Sequence, residues 1–92
     1  MVERRRRYDL MERTAKFGES VVDFARKVKI DAVTWRLVSQ LVGSGTSVGA
    51  NYCEADEAAT RKEFKYRISL CKRESRESMF FLRMIVRACP HL

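Results

Sequence analysis

Apolar side chains recur every three or four residues along most of the chain, and this spacing predicts three amphipathic helices. The first pattern covers residues 9–29 and places on one face Leu10, Thr14, Phe17, Val21, Phe24 and Val28. The third pattern covers residues 61–88 and is the most regular, with Phe64, Ile68, Cys71, Ser75, Ser78, Leu82 and Ile85. Steps that alternate between four and three residues are typical of helices that pack in a bundle.

The second predicted helix covers residues 32–55, and its apolar face carries Val33, Leu37, Leu41, Val48 and Tyr52. Asp31 is a suitable N-cap, since its carboxylate accepts hydrogen bonds from free backbone N–H groups. Thr60 and Glu63 match a capping box before the third helix, and Pro90 ends that helix. The sequence therefore predicts an all-α, up-and-down helical bundle in a single domain, residues 1–92, whose first eight residues form a basic tail.

The longest run without charge lies in the second helix, between Arg36 and Glu54, and contains 17 residues. Its small residues suggest a phosphate-binding glycine loop, a membrane segment or a helix face for close packing. A P-loop requires a Lys directly after its last glycine, which is missing here, and the polar side chains in the run argue against a membrane span. Gly45-x-x-x-Gly49 therefore predicts close approach of a neighbouring helix. Candidates for hydrogen bonds across that interface are Ser44, Ser47 and Asn51.

The formal net charge of +7 is unevenly distributed along the chain. Residues 1–30 carry nine Lys and Arg against five acids, residues 31–60 one against four, and residues 61–92 nine against three. This balance favours anionic partners such as nucleic acid. One basic feature is the N-terminal run, interpreted either as a solvated tail or as an arm that contacts phosphates: Arg4, Arg5, Arg6 and Arg7.

The second basic feature follows the third predicted helix, numbered α3, and is called the α3 stripe. It consists of Lys62, Lys65, Lys72, Arg76, Arg83 and Arg87. It is either a solvated face or a surface for a polyanion backbone, which a row of cations suits. The i, i+4 pairs Glu63–Arg67 and Arg73–Glu77 are expected nearby and leave most of the stripe unpaired. Base-specific readout is not indicated, and packing roles are predicted for Tyr66, Phe80 and Phe81.

No catalytic, cofactor or metal site is predicted. His91 has no acid partner in its sequence neighbourhood, Cys53 with Glu54 lacks a base, and a metal site normally needs three or four ligands. The three cysteines form no CxxC motif and are interpreted as reduced thiols of a cytoplasmic protein. The N-terminal Arg run is followed by no apolar segment, so it does not indicate a signal peptide.

Three segments carry a resemblance to a known family. They are residues 37–55 (LVSQLVGSGTSVGANYCEA), Lys62-Glu63-Phe64, and residues 72–78 (KRESRES). Over about residues 10–86 the chain resembles the bacterial four-helix bundle proteins, which are related to the protein encoded in intervening sequences of large-subunit ribosomal RNA genes. It is also distantly similar to the accessory variability protein of diversity-generating retroelements, a basic pentameric barrel that binds a reverse transcriptase and nucleic acid.

The resemblance implies a left-handed bundle, a homopentamer and no enzyme activity. Gly43 stands where members of the family commonly carry Arg, which removes one positive charge from the second helix. The family has a fourth helix, which is expected to be truncated here, supplied by a neighbour or dispensed with. A three-helix monomer leaves an apolar strip uncovered, and such a strip favours association.

The leading hypothesis is therefore a non-enzymatic cytoplasmic oligomer that binds RNA, DNA or a nucleic-acid enzyme such as a reverse transcriptase through its basic surfaces. The alternative is a scaffold whose basic face docks an acidic protein partner. No membrane partner is expected.

Overall fold

The computed structural model describes the backbone of residues 2–91 and the side chains of residues 9–91, which form three α-helices and no strand. Helix α1 spans Val2–Arg26, α2 spans Thr34–Asp56 and α3 spans Arg61–Ala88. The all-α prediction is confirmed, and the bounds of α3 agree with the sequence pattern. Helix α1 begins seven residues before the expected start, so the backbone of residues 2–8 is helical where the pattern predicted a tail.

Asp31 caps the start of α2, as its position predicted. Its Oδ1 accepts hydrogen bonds from the backbone N–H groups of Val33 at 2.8 Å and Thr34 at 2.9 Å. The Thr34 hydroxyl accepts in return from the N–H of Asp31 at 2.9 Å and donates to the carbonyl of Lys29 at 2.7 Å. The two backbone donors, Thr34 before Val33, hold the pKa of Asp31 below its usual 3.8, because they favour the carboxylate over the acid.

The capping box of α3 forms in a slightly shifted version. The Thr60 hydroxyl accepts from the N–H of Glu63 at 3.1 Å, as predicted. The Glu63 carboxylate accepts from the N–H of Ala59 at 3.4 Å, one residue before the expected donor at Thr60. Both side chains still satisfy N–H groups that have no partner within the helix, which fixes where α3 begins.

Consecutive helices pack antiparallel, and α2 lies in the centre. Gly45 of α2 lies against Val21 of α1, and Gly49 lies against Thr14, so residue numbers rise along one helix as they fall along the other. Helix α2 meets α3 in the same antiparallel sense. The described parts of α1 and α3 have no Cα pair within 8 Å of each other. Both outer helices therefore depend on α2 for their position.

The core forms where side chains of all three helices converge. Leu41 of α2 and Ile85 of α3 are fully buried beside Val21 of α1 and Val28, which lies in the link between α1 and α2. Partly buried side chains surround them, among them Phe17, Phe24, Val38, Phe81 and Leu82. Four predicted core positions are wrong, since Leu10, Val33, Phe64 and Ser75 are exposed. Val33 precedes α2 and Phe64 lies in the first turn of α3, where few side chains cover them.

We expect Gly45→Ala to destabilise the fold by about 1–3 kcal/mol, because a Cβ there would lie 2.8 Å from both γ carbons of Val21 and force α1 away from α2. Gly43→Ala is the matched control in the same helix. A Cβ at Gly43 meets nothing within 4 Å, so this change should stabilise the protein by about 0.5–1 kcal/mol. Urea denaturation measures both. Equal effects of the two substitutions would contradict the close packing at Gly45.

We expect the contribution of Asp31 to the free energy of unfolding to depend on pH. Its folded-state pKa is lowered, so the cap stabilises fully above the unfolded-state pKa of about 3.9 and loses its effect as pH falls through the folded-state value. Asp31→Ala should therefore lower the unfolding free energy at pH 7, and the gap to the parent protein should narrow below about pH 4. Glu54→Ala, at an exposed position, is the control. A gap that stays constant down to pH 3 would refute an ionised cap.

Candidate nucleic-acid interface

The α3 stripe lies on the side of α3 that faces away from α2. Ser78 and Ile85 mark the buried side of this helix, and at 100° per residue the stripe positions fall on the opposite side. All six side chains of the stripe are exposed. From Lys62 to Arg87 they extend over roughly 37 Å of helix, at 1.5 Å per residue. The helix therefore presents one continuous basic surface to solvent.

None of the six cations makes an ion pair within 4.0 Å to the side chains of residues 9–91. The two ion pairs predicted near the stripe, Glu63–Arg67 and Arg73–Glu77, do not form among the described side chains. Arg73 pairs with Glu74 at 3.8 Å rather than with Glu77. Glu63 is engaged in the cap of α3, and Arg67 turns toward α2, where its Nη1 lies 3.5 Å from Oδ1 of Asn51. No acidic side chain among the described residues therefore compensates the positive charge of the stripe.

The aromatic side chains of α3 divide into two groups. Tyr66 and Phe80, both predicted to pack, are exposed instead, because they fall on the outer side of α3. Phe81 is half-buried against the core and meets Phe80 edge to face, with 5.4 Å between ring centroids. Phe80 follows Arg76 by four residues and precedes Arg83 by three, so an aromatic ring lies within the α3 stripe.

The N-terminal Arg4, Arg5, Arg6 and Arg7 belong to α1 by backbone, and their side chains lie outside those that the structure describes. Helices α1 and α3 run in the same direction, since both are antiparallel to α2. The backbone of this Arg run therefore begins at the end of the bundle where α3 also begins.

The small polar residues of α2 serve packing in different ways. The hydroxyls of Ser44 and Ser78 lie 3.1 Å apart, both buried, and join α2 to α3. Ser47 donates to the carbonyl of Gly43 in its own helix at 2.6 Å. Asn51 donates to the carbonyl of Ser47 at 3.0 Å and accepts the long hydrogen bond from Arg67. With Gly45 and Gly49 against α1, this segment holds the bundle together and leaves its surface uncharged.

The described residues contain no group of three or more His, Cys, Asp and Glu side chains placed to hold a metal ion. Within the same part of the chain, none of the helices combines the length and apolar character needed to cross a membrane. Cys53 and Glu54 are both exposed on α2, and His91 lies beyond the end of α3. These residues do not converge on one site.

A groove between α1 and α2, with a volume of about 430 Å³, is a feature that the sequence reasoning missed. Its α1 wall includes Met11, Ala15 and Val22, and its floor on α2 includes Thr46, Gly49 and Ala50. Two acids of α1, Glu19 and Asp23, also line it. The signal was present in the sequence: Met11, Ala15 and Val22 are spaced four and seven residues apart, a second apolar row beside the main one on α1.

We expect the thiols of Cys53 and Cys71 to react at different rates. The Cys71 S–H donates to the carbonyl of Val48 at 3.4 Å, and burial raises the pKa of this thiol above 9.0, which lowers its reactive thiolate fraction near neutral pH. Cys53 is exposed and should react with iodoacetamide well before Cys71 at pH 7.5. Mass spectrometry of timed samples measures the order, and the urea-unfolded chain provides the control. Equal native-state rates at Cys53 and Cys71 would contradict the packing of Cys71 against α2.

Comparison with known proteins finds a shared fold. No family model matches the chain, and no curated protein matches it. The structure is similar to the crystal structure of a protein of unknown function from the S23 ribosomal protein family of Bacteroides thetaiotaomicron. The TM-score is 0.78, the sequences are 23% identical, and the match covers 90% of this chain and 77% of that one. At this identity the likeness shows a common helical fold and assigns no activity.

Proposed function

We propose that this chain is a non-enzymatic protein that binds the phosphate backbone of RNA or DNA through the α3 stripe. The observation that carries the proposal is the stripe itself: six exposed cations along one helix, with no ion pair to the described side chains. A polyanion that contacts such a row releases its condensed counterions, and this release supplies affinity that does not depend on base sequence.

The exposed ring of Phe80 favours nucleic acid over other polyanions. Aromatic side chains within a basic surface stack on unpaired bases, and such stacking tolerates any base. Phe80 follows Arg76 by four residues, about one helical turn, so a single strand bound to Arg76 would reach the ring. This arrangement supports binding to single-stranded segments.

The second candidate is a scaffold that docks an acidic protein through the same surface. The uncompensated charge of the α3 stripe supports it equally, because an acidic partner also gains from nearby cations. Phe80→Ala separates the two candidates. If the chain binds nucleic acid, Phe80→Ala should weaken binding to single-stranded RNA or DNA more than binding to a duplex. If the surface docks an acidic protein instead, no such difference between single strand and duplex is expected.

We also propose that the chain assembles with copies of itself, which the resemblance to four-helix bundle proteins implies as a pentamer. Exposed apolar side chains on the outer helices support assembly, among them Met79 and Val86 on α3. A reverse transcriptase is the partner that the more distant resemblance implies. The free thiols of Cys53, Cys71 and Cys89 fit the cytoplasmic location expected for such a protein.

We expect a variant with Gln at Lys62, Lys65, Lys72 and Arg76 to bind single-stranded RNA at least ~10-fold more weakly at low salt, because four phosphate contacts are lost. The slope of log K against log salt should also become less steep by about 0.7 for each phosphate contact removed. Fluorescence anisotropy with a labelled oligonucleotide, titrated over several salt concentrations, measures both quantities.

The matched control carries Gln at four exposed cations outside α3, namely Arg26, Lys27, Lys29 and Arg36. Both variants lower the net charge from +7 to +3, because each removes four positive charges. Equal losses of RNA affinity in the two variants would indicate that binding responds to net charge alone. Negligible binding by the parent protein at low salt would refute nucleic-acid binding.

A further inference from the structure

The groove between α1 and α2 is apolar at its floor and acidic at its rim. The floor includes small residues, Gly49 and Ala50 of α2, so a neighbouring side chain can lie against it. Glu19 and Asp23 lie at the rim, four residues apart on α1. Neither acid makes an ion pair within 4.0 Å to the described side chains. The groove therefore combines an uncovered apolar floor with two uncompensated negative charges.

One edge of α3 has the complementary composition. We call Met79, Arg83, Val86 and Arg87 the α3 edge. Met79 is 62% exposed and Val86 is 51% exposed, and they lie two helical turns apart on the same side. Arg83 and Arg87 are exposed and belong to the unpaired stripe. Their spacing of four residues, a rise of about 6 Å, is the spacing that separates Glu19 from Asp23.

We propose that the α1–α2 groove of one copy receives the α3 edge of a second copy. Met79 and Val86 would cover the apolar floor, and Arg83 and Arg87 would lie beside Glu19 and Asp23. The inference rests on the proposed self-association and names its surface. Two chains that each carry +7 repel one another at a distance, so a stable contact between copies needs opposite charges brought together locally. The groove and the α3 edge supply them.

The arrangement also requires that the contact form between different copies. The described parts of α1 and α3 have no Cα pair within 8 Å, and α2 separates them, so a chain's α3 edge cannot enter its own groove. The two surfaces of the contact are different, and each copy offers one groove and one edge. Contacts repeated in one direction close into a ring or continue as a filament, whereas two copies that exchange both contacts form a dimer. In this assembly Arg83 and Arg87 of the α3 stripe face the second copy, and the polyanion contacts the other four members, Lys62, Lys65, Lys72 and Arg76.

The test reverses the charges of each surface and then of both. The groove variant is Glu19→Lys with Asp23→Lys, and the edge variant is Arg83→Glu with Arg87→Glu. Light scattering after size exclusion gives the mass in solution. The parent protein should have a multiple of the 10.8 kDa chain mass, and each variant should fall to a single chain. The chain that carries all four changes should recover the parent mass, because the opposite charges again face each other.

Two controls match the charge changes at other exposed positions. Glu54→Lys with Glu57→Lys raises the net charge as the groove variant does, and Lys62→Glu with Lys65→Glu lowers it as the edge variant does. Both controls should keep the parent mass. Circular dichroism confirms that each variant remains helical, so loss of assembly is separated from unfolding.

The outcomes separate this inference from the proposal beneath it. A parent protein that is a monomer at every concentration would overturn the self-association and the inference together. A parent oligomer whose groove and edge variants keep its mass would overturn the inference alone. Helical single-surface variants that dissociate, without recovery when both are combined, would overturn the pairing of the two surfaces. Recovery in the combined variant would support it.

Discussion

The close contact between Gly45 of α2 and Val21 of α1 is the constraint on which the arrangement of the helices depends. A Cβ at Gly45 would overlap the Val21 side chain, so this approach requires glycine. It brings the two backbones near enough to bury Val21 and Ala25 and to make the shallow groove on the other side of the contact. With α1 fixed in this way, side chains from α1 and α3 cover Leu41 of α2 together.

The position of α2 between its neighbours explains the absence of charge between Arg36 and Glu54. A Lys or Glu on a helix covered from two sides would lose its hydration without a compensating partner, at a cost of several kcal/mol. Serine is accepted there because its hydroxyl finds a hydrogen-bond partner, as in the buried pair Ser44 and Ser78 that joins α2 to α3. Most charged side chains therefore lie on α1 and α3, where they remain available to other molecules.

Charge on the outer helices has opposite signs in two places that matter for association. The α3 stripe is basic and unpaired, whereas the groove on α1 carries Glu19 and Asp23 without ion-pair partners among the described side chains. A chain with net charge +7 attracts polyanions over its whole surface, but local groups decide what binds closely. The same helix α3 thus supplies a face for phosphates and, at its C-terminal half, an apolar edge that a second copy can cover.

The sequence by itself determined the helices, their caps and the residues that must stay out of the core. The bounds of α3, the cap at Asp31 and the hydroxyl cap at Thr60 follow from local hydrogen bonding, which depends only on neighbours in the chain. The α3 stripe was also predictable, since helical periodicity places its members on one side.

Which neighbour covers each face was decided only by the tertiary structure. The exposure of Phe64 and Phe80, the turn of Arg67 toward Asn51, and the groove between α1 and α2 all depend on where the other helices lie. Periodicity specifies the direction of a side chain from its own helix axis, whereas burial is set by contacts between residues far apart in sequence.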